Sequence, residues 1–228
     1  IGKNAKTDHK ASTDATTATT DNAVVLGTNS FVQGHQSIAI GMGATVNSDK
    51  PGISQNSIAF GTNAKVKGGN STAIGWLADT GDGAGMLAIG DQASTNNKSA
   101  GSATYSQDNN QSVALGSRAL AFGDQAIALG NDVKASGNSS VAIGGDDIDR
   151  VRAAHGNLYQ NITGQALPPL GTYISTESSG AGATAIGVMT TASGHFASAL
   201  GMTADASGDG SIALGPTAKS SGVAGVAI

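Results

Sequence analysis

The stretch Ser198-Ala199-Leu200-Gly201-Met202-Thr203-Ala204-Asp205-Ala206-Ser207-Gly208-Asp209-Gly210-Ser211-Ile212-Ala213-Leu214-Gly215 contains one full period of a repeat. It opens and closes on the same motif, a small residue, Ala and an aliphatic residue ahead of Gly, with a second Gly seven residues after the first. The motif recurs as Ser37-Ile38-Ala39-Ile40-Gly41, Ser57-Ile58-Ala59-Phe60-Gly61, Ser71-Thr72-Ala73-Ile74-Gly75 and Met86-Leu87-Ala88-Ile89-Gly90. The closing glycines are Gly27, Gly41, Gly61, Gly75, Gly90, Gly116, Gly130, Gly144, Gly187, Gly201 and Gly215, with steps of 14, 20, 14, 15, 26, 14, 14, 43, 14 and 14. A fixed short period of this kind marks a solenoid.

Gly34, Gly68, Gly123, Gly137, Gly194, Gly208 and Gly222 each lie seven residues after a closing glycine. Each 14-residue unit therefore holds two short runs, each ended by a glycine able to take the φ > 0 conformation of a tight corner. Within a run the residues alternate, which is the pattern of a half-buried strand. The expected assembly is an all-β, flattened, two-sheet roll with parallel neighbours. Its expected interior is the aliphatic set Ile38, Ile40, Ile58, Phe60, Ile74, Ile89, Val113, Leu115, Ile127, Leu129, Val141, Ile143, Ile186, Leu200, Ile212 and Leu214. Ser and Ala of the first run are expected to face outward. In the second run Ala64 and Val66 should point inward, with Asn63, Lys65 and Lys67 outward. A flat, uncharged Ser/Ala face along a rod favours self-association, because soluble monomers rarely leave such a stripe in water.

Composition agrees with thin layers rather than a thick core. Of 228 residues 34 are Gly, aromatics make up 4% and charged residues 12%, the last about half the usual share. No Cys is present, which removes disulfides and thiolate metal sites. A net charge of -4 disfavours a nucleic-acid partner. No apolar run approaches the roughly 20 residues of a membrane span, and no signal peptide opens the chain. The final Gly225-Val226-Ala227-Ile228 is the motif without its glycine, so the chain is expected to be a fragment of something longer.

These repeats resemble the YadA-like head of trimeric autotransporter adhesins, from about Asn22 to Ile228. The resemblance implies a left-handed parallel β-roll of 14-residue repeats assembled as a homotrimer. It also implies a bacterial cell-surface location, held in the outer membrane by a stalk and C-terminal anchor that this chain lacks. The expected organisation is a polar N-terminal lead-in over 1–21 and a head domain over 22–228, with an insertion at about 145–182. The implied function is attachment to host cells and extracellular matrix proteins of the fibronectin, laminin or collagen class. The alternative is a trimeric phage tail-fibre or spike module with a receptor-binding role.

Three steps exceed the period. Residues around Ser48 to Gln55 add six, those around Thr95 to Asn110 add twelve, and the step from Gly144 to Gly187 adds twenty-nine. Insertions in solenoids emerge as surface loops, often at the binding face. The longest begins Gly145-Asp146-Asp147-Ile148-Asp149-Arg150-Val151-Arg152 and is similar to the GGDD-type insertions of some adhesin heads, including the Moraxella type. Asp146 or Asp147 is placed to cap a short helix. Ile148, Val151 and Leu158 have helical spacing, and Pro168-Pro169 forces an extended segment.

No catalytic residue, metal site or cofactor is expected. Asp146, Asp147, Asp149 and His155 are too few, and wrongly spaced, for a calcium loop. His9, His35, His155 and His195 share no motif. Nucleophile elbows and phosphate-binding loops are absent, and Gly81-Asp82-Gly83-Ala84-Gly85 reads as a distorted corner. An acyltransferase β-helix would repeat in hexads, which this chain does not. Candidate ligand contacts are Lys65, Lys67, Arg118, Lys134 and Lys219 on the second runs, with Arg150, Arg152 and Tyr159 in the long insertion. Each of the lysines is also explained as a solvated charge that blocks edge pairing.

Overall fold

A computed structural model describes residues 1–7, 22–47, 55–96 and 111–228. The chain divides into two compact units, residues 1–125 and 126–228. His9 and the bodies of the two shorter insertions fall outside the described residues.

The first unit contains a sheet of three-residue strands, Val24–Leu26, Ile38–Ile40, Ile58–Phe60, Thr72–Ile74, Leu87–Ile89 and Val113–Leu115. Each pairs in parallel with the next in chain order. The second unit repeats the plan with Ile127–Gly130, Val141–Gly145, Thr184–Val188, Ser198–Leu200, Ile212–Leu214 and Val226–Ala227, again all parallel. The opposite layer is built of two-residue strands. They are Lys6–Thr7, Phe31–Val32, Thr45–Val46, Lys65–Val66 and Leu120–Ala121 in the first unit. In the second they are Lys134–Ala135, Glu177–Ser178, Thr191–Ala192, Asp205–Ala206 and Lys219–Ser220. Lys6–Thr7 pairs with Phe31–Val32, so pairing begins ahead of Asn22.

The insertions leave the register untouched. Ile38 lies beside Ile58, Leu87 beside Val113 and Val141 beside Thr184. The long insertion leaves and re-enters at a corner, between the strands Val141–Gly145 and Glu177–Ser178.

In a regular turn both corners are β-turns of one type. In the first, the Ala204 N–H donates to the Gly201 carbonyl at 3.2 Å, and Thr203 between them has φ 60°. In the second, the Ser211 N–H donates to the Gly208 carbonyl at 3.1 Å, and Gly210 has φ 65°. A turn of this kind needs a left-handed residue at its third position, where Gly and Asn are most at ease. Asn29, Asn56, Asn63 and Asn70 fill such positions in the first unit. The closing glycine has a further constraint. Gly41 has φ 133°, and a Cβ on it would sit 2.4 Å from the carbonyl oxygen of Gly61 in the next turn. No L side chain satisfies both the dihedral and the space.

The interior is the reverse of the aliphatic set expected for the first run. Ala39, Ala59, Ala73, Ala88 and Ala114 are fully buried, as are Ala128, Ala142, Ala185 and Ala213. Ser37, Ser57, Ser71, Ser112, Ser140 and Ser211 are buried with them. Ile38, Ile40, Ile58, Phe60, Ile74, Ile89, Val113, Leu115, Ile127, Leu129, Val141, Ile143, Ile186, Leu200, Ile212 and Leu214 are half-buried or exposed. The second run keeps the expected register, with Ala64 and Val66 buried and Lys65 exposed.

The reason is volume. Strands of two and three residues between tight corners enclose a cross-section filled by four small side chains, as by Ser37, Ala39, Ala44 and Val46 in one turn. Inverting the longer strand would push two large aliphatic side chains into that space, and overpacking is costly. The buried hydroxyls are accommodated because the corners supply carbonyls. Ser57 Oγ donates to the Gly68 carbonyl at 3.1 Å and accepts the Ser71 N–H at 3.3 Å. Ser37 Oγ accepts the Ser57 N–H at 3.2 Å, and Ser71 Oγ accepts that of Met86 at 3.1 Å. A serine ladder thus runs along the first unit, and each pairing reduces the cost of burying a polar group.

Candidate functional site

The long insertion is the one departure from the repeat that carries a helix among the described residues. It leaves the Val141–Gly145 strand at the corner after Gly144. Helix α1, Asp149–Thr163, has 15 residues, about 22 Å at 1.5 Å per residue. Asp147 Oδ1 accepts the Asp149 N–H at 2.8 Å, satisfying one of the free donors of the first turn. Gly164 ends the helix with φ 71°, its N–H donating to the Gln160 carbonyl. Past Gly164 the chain returns through Pro168 and Pro169 without helix or strand.

Three ties hold the hairpin of helix and return limb closed. The Asp149 carboxylate accepts the Gly171 N–H at 3.0 and 3.2 Å. Arg152 Nη1 donates to the carbonyls of Leu167 and Pro168. Ile148, Tyr159 and Leu167 are buried together with Met189 of the roll, with Val188 and Met202 alongside. The Tyr159 hydroxyl reaches Thr203 Oγ1 at 2.9 Å. The inward face is therefore Ile148, Arg152 and Tyr159. Of the residues expected to form one apolar stripe, Ile148 is buried, while Val151 and Leu158 are 40% and 56% exposed.

The candidate ligand contacts occupy different settings. Lys65 is exposed, and Lys67 lies 3.9 Å from the Asp82 carboxylate. Arg118 sits at a corner with φ 52° rather than on a strand. Lys134 is paired with Glu177 at 2.8 Å. Arg150 projects into solvent from α1. Arg152 and Tyr159 are engaged within the insertion as described. On the outer face of the second unit's short strands, Lys134, Glu177, Thr191, Asp205 and Lys219 follow one another in register. The signs are mixed, so no basic patch forms on that face.

Tyr159 and Lys219 do come to one place. They share a cleft of about 140 Å³ between the insertion and the roll. Gln165, Ala166 and Pro168 of the return limb line one side, and Thr203, Thr217 and Lys219 of two successive turns the other. Sequence reasoning missed Thr203 and Thr217. Their signal is positional, since both stand two residues after a closing glycine, at the corner. Among the described residues no group of three His, Asp or Glu is placed to hold a metal ion. None of the described helices is long and apolar enough to cross a membrane.

A family model described as the YadA head domain repeat matches residues 14–30, 18–44, 53–78, 109–132, 134–146, 178–204 and 206–228. The chain belongs to this family. The matched segments span well over half of it, and residues 147–177, which contain α1, fall outside them. The YadA-like head is a non-catalytic adhesin domain exposed on the bacterial surface, which does not favour the phage-fibre alternative. No curated protein matches the chain.

Proposed function

We propose that this YadA-like head works as a homotrimer, the adhesive part of a protein anchored in the outer membrane and without catalytic activity. In the proposed assembly each chain is a left-handed roll, and the three pack through their aliphatic faces. The observation that carries the reading is the inverted register of the longer strands. In the first unit Val24, Leu26, Ile58 and Phe60 are between 36 and 50% exposed, and in the second Ile127, Leu129, Ile212 and Leu214 stand between 39 and 44%. Strand pairing aligns these side chains in two rows on each unit. A contiguous apolar surface of this kind marks an association site, and closed symmetry is the usual solution. The associating face is thus the Ile/Leu face, opposite to the Ser/Ala face expected from sequence.

The head then presents its outer strands and the long insertion to host extracellular matrix proteins of the fibronectin, laminin or collagen class. Lys65, Lys67, Arg118, Lys134, Arg150 and Lys219 remain the candidate contacts. Sedimentation equilibrium should give three times the 22.2 kDa chain mass. A solid-phase screen against purified matrix proteins tests the ligand class, and a monomer that binds none of them would sink the proposal.

A further inference from the structure

The cleft between the insertion and the roll has a chemistry of its own. Its single cation is Lys219, which is exposed and makes no hydrogen bond or ion pair among the described residues. No carboxylate lines the cleft. Asp205 stands beside Lys219 on the adjoining strand, yet the two are not paired. Thr203 Oγ1 donates to the Met202 carbonyl at 2.6 Å, so the Tyr159 hydroxyl gives its proton to Thr203. The Tyr159 oxygen keeps lone pairs for an incoming O–H, and the side-chain hydroxyl of Thr217 has no partner among the described residues. Gln165 contributes an amide that both donates and accepts, while Ala166 and Pro168 supply a small apolar wall.

We infer that this cleft binds a single carboxylate-bearing sugar residue of a host glycan. Lys219 and Thr217 hold the carboxylate. The Tyr159 oxygen and the Gln165 amide take ring hydroxyls, and the face of the ring lies on Pro168 and Ala166. Drug-sized ligands occupy pockets of roughly 300–1,000 Å³, so a cleft of about 140 Å³ suits one ring and no more. The inference rests on the adhesin reading only for its biological setting. Trimer formation and matrix-protein binding are measured separately, and either can fail without the other.

The experiment is ligand-observed saturation-transfer NMR on the full 228-residue protein, with D-glucuronate as probe and D-glucose and acetate as controls. Glucuronate should saturate with a Kd of about 1 mM, the range open to a small, one-ring ligand. Lys219→Met keeps the stem, leaves the fold intact and should weaken glucuronate at least five-fold. Asp205→Asn should strengthen it, by removing a neighbouring negative charge, and Lys6→Met, at an exposed lysine of the first short strand, should leave it unchanged. Absence of saturation transfer from glucuronate would overturn the inference. So would equal binding of glucose, which would mean no carboxylate anchor, or equal binding of acetate, which would mean no recognition of the ring. An unaltered Lys219→Met would place the sugar elsewhere and overturn it as well.

Discussion

The hydroxyl of Tyr159 lies 2.9 Å from Oγ1 of Thr203, 44 residues further along the chain. This bond and the small buried cluster around it fasten the insertion to the corners of the roll. Tyr159→Phe removes one hydrogen bond and should cost about 1 kcal/mol. Tyr159→Ala should cost about 3 kcal/mol of local stability. Hydrogen exchange read separately for α1 and for the β-strands is the check. Fast exchange should be confined to α1, and equal loss in the strands would mean that the insertion is part of one folding unit with the roll.

Removal of the insertion should spare the roll if the cut respects the phase. A deletion reaching Ser179 would also remove the short strand Glu177–Ser178, which pairs on both sides. Deleting residues 147–175 removes the twenty-nine extra positions and brings Thr176 to the place that Ala204 occupies in a regular turn. Circular dichroism of this variant should retain the β signal, lose the helical part and show the assembly unchanged. An unfolded product would show that α1 is required for the corner to form.

The exposed aliphatic rows give a direct test of assembly. Ile58→Asp and Leu129→Asp place a charge on the outer face of a strand without touching the interior. Sedimentation should shift from three chains towards the single-chain mass of 22.2 kDa. Ala199→Leu on the same sheet points inward, where a larger side chain should cost roughly 1–3 kcal/mol or more. If Ala199→Leu is harmless while Leu129→Asp unfolds the chain, the register is wrong.

The corners predict a sharp penalty at Gly41. Gly41→Ala meets both φ 133° and a carbonyl oxygen 2.4 Å from the new Cβ. A fall in Tm of several degrees is expected, since 1 kcal/mol alone shifts Tm by roughly 2–4 °C in a protein of this size. Gly164→Ala, at the end of α1 with nothing within 4 Å of the added carbon, meets only the unfavourable φ and should cost about 1 kcal/mol.

The buried serines are not equivalent. Ser57→Ala breaks the ladder and leaves the Gly68 carbonyl and the Ser71 N–H without its oxygen, at a cost of about 1 kcal/mol or more. The Ser211 hydroxyl is buried without a hydrogen bond, so Ser211→Ala should be neutral or slightly stabilising. Thermal melts of the two variants side by side decide the point, and equal destabilisation would mean that Ser211 also has a partner.

The period, the corner glycines, the parallel pairing and the places where chain is inserted were all legible from spacing, because a solenoid writes its geometry once per turn. The spacing also marks two alternating faces on each strand, but it does not say which one is inside. That choice belongs to the tertiary structure. Two short strands and two tight corners enclose room chiefly for small side chains such as Ala, Val, Ser and Thr, so Ile38 and Ile40 turn outward although they are the more hydrophobic residues. The same volume limit leaves the Ile/Leu face, and not the Ser/Ala face, exposed on the outside of the longer strands. The cleft at Tyr159 and Lys219 was legible only in part. Both residues stood out by type, but they lie 60 positions apart in the sequence. Only the fold of α1 against successive corners brings them to one cleft and adds Thr203 and Thr217, which the sequence marks only as corner positions two residues after a closing glycine.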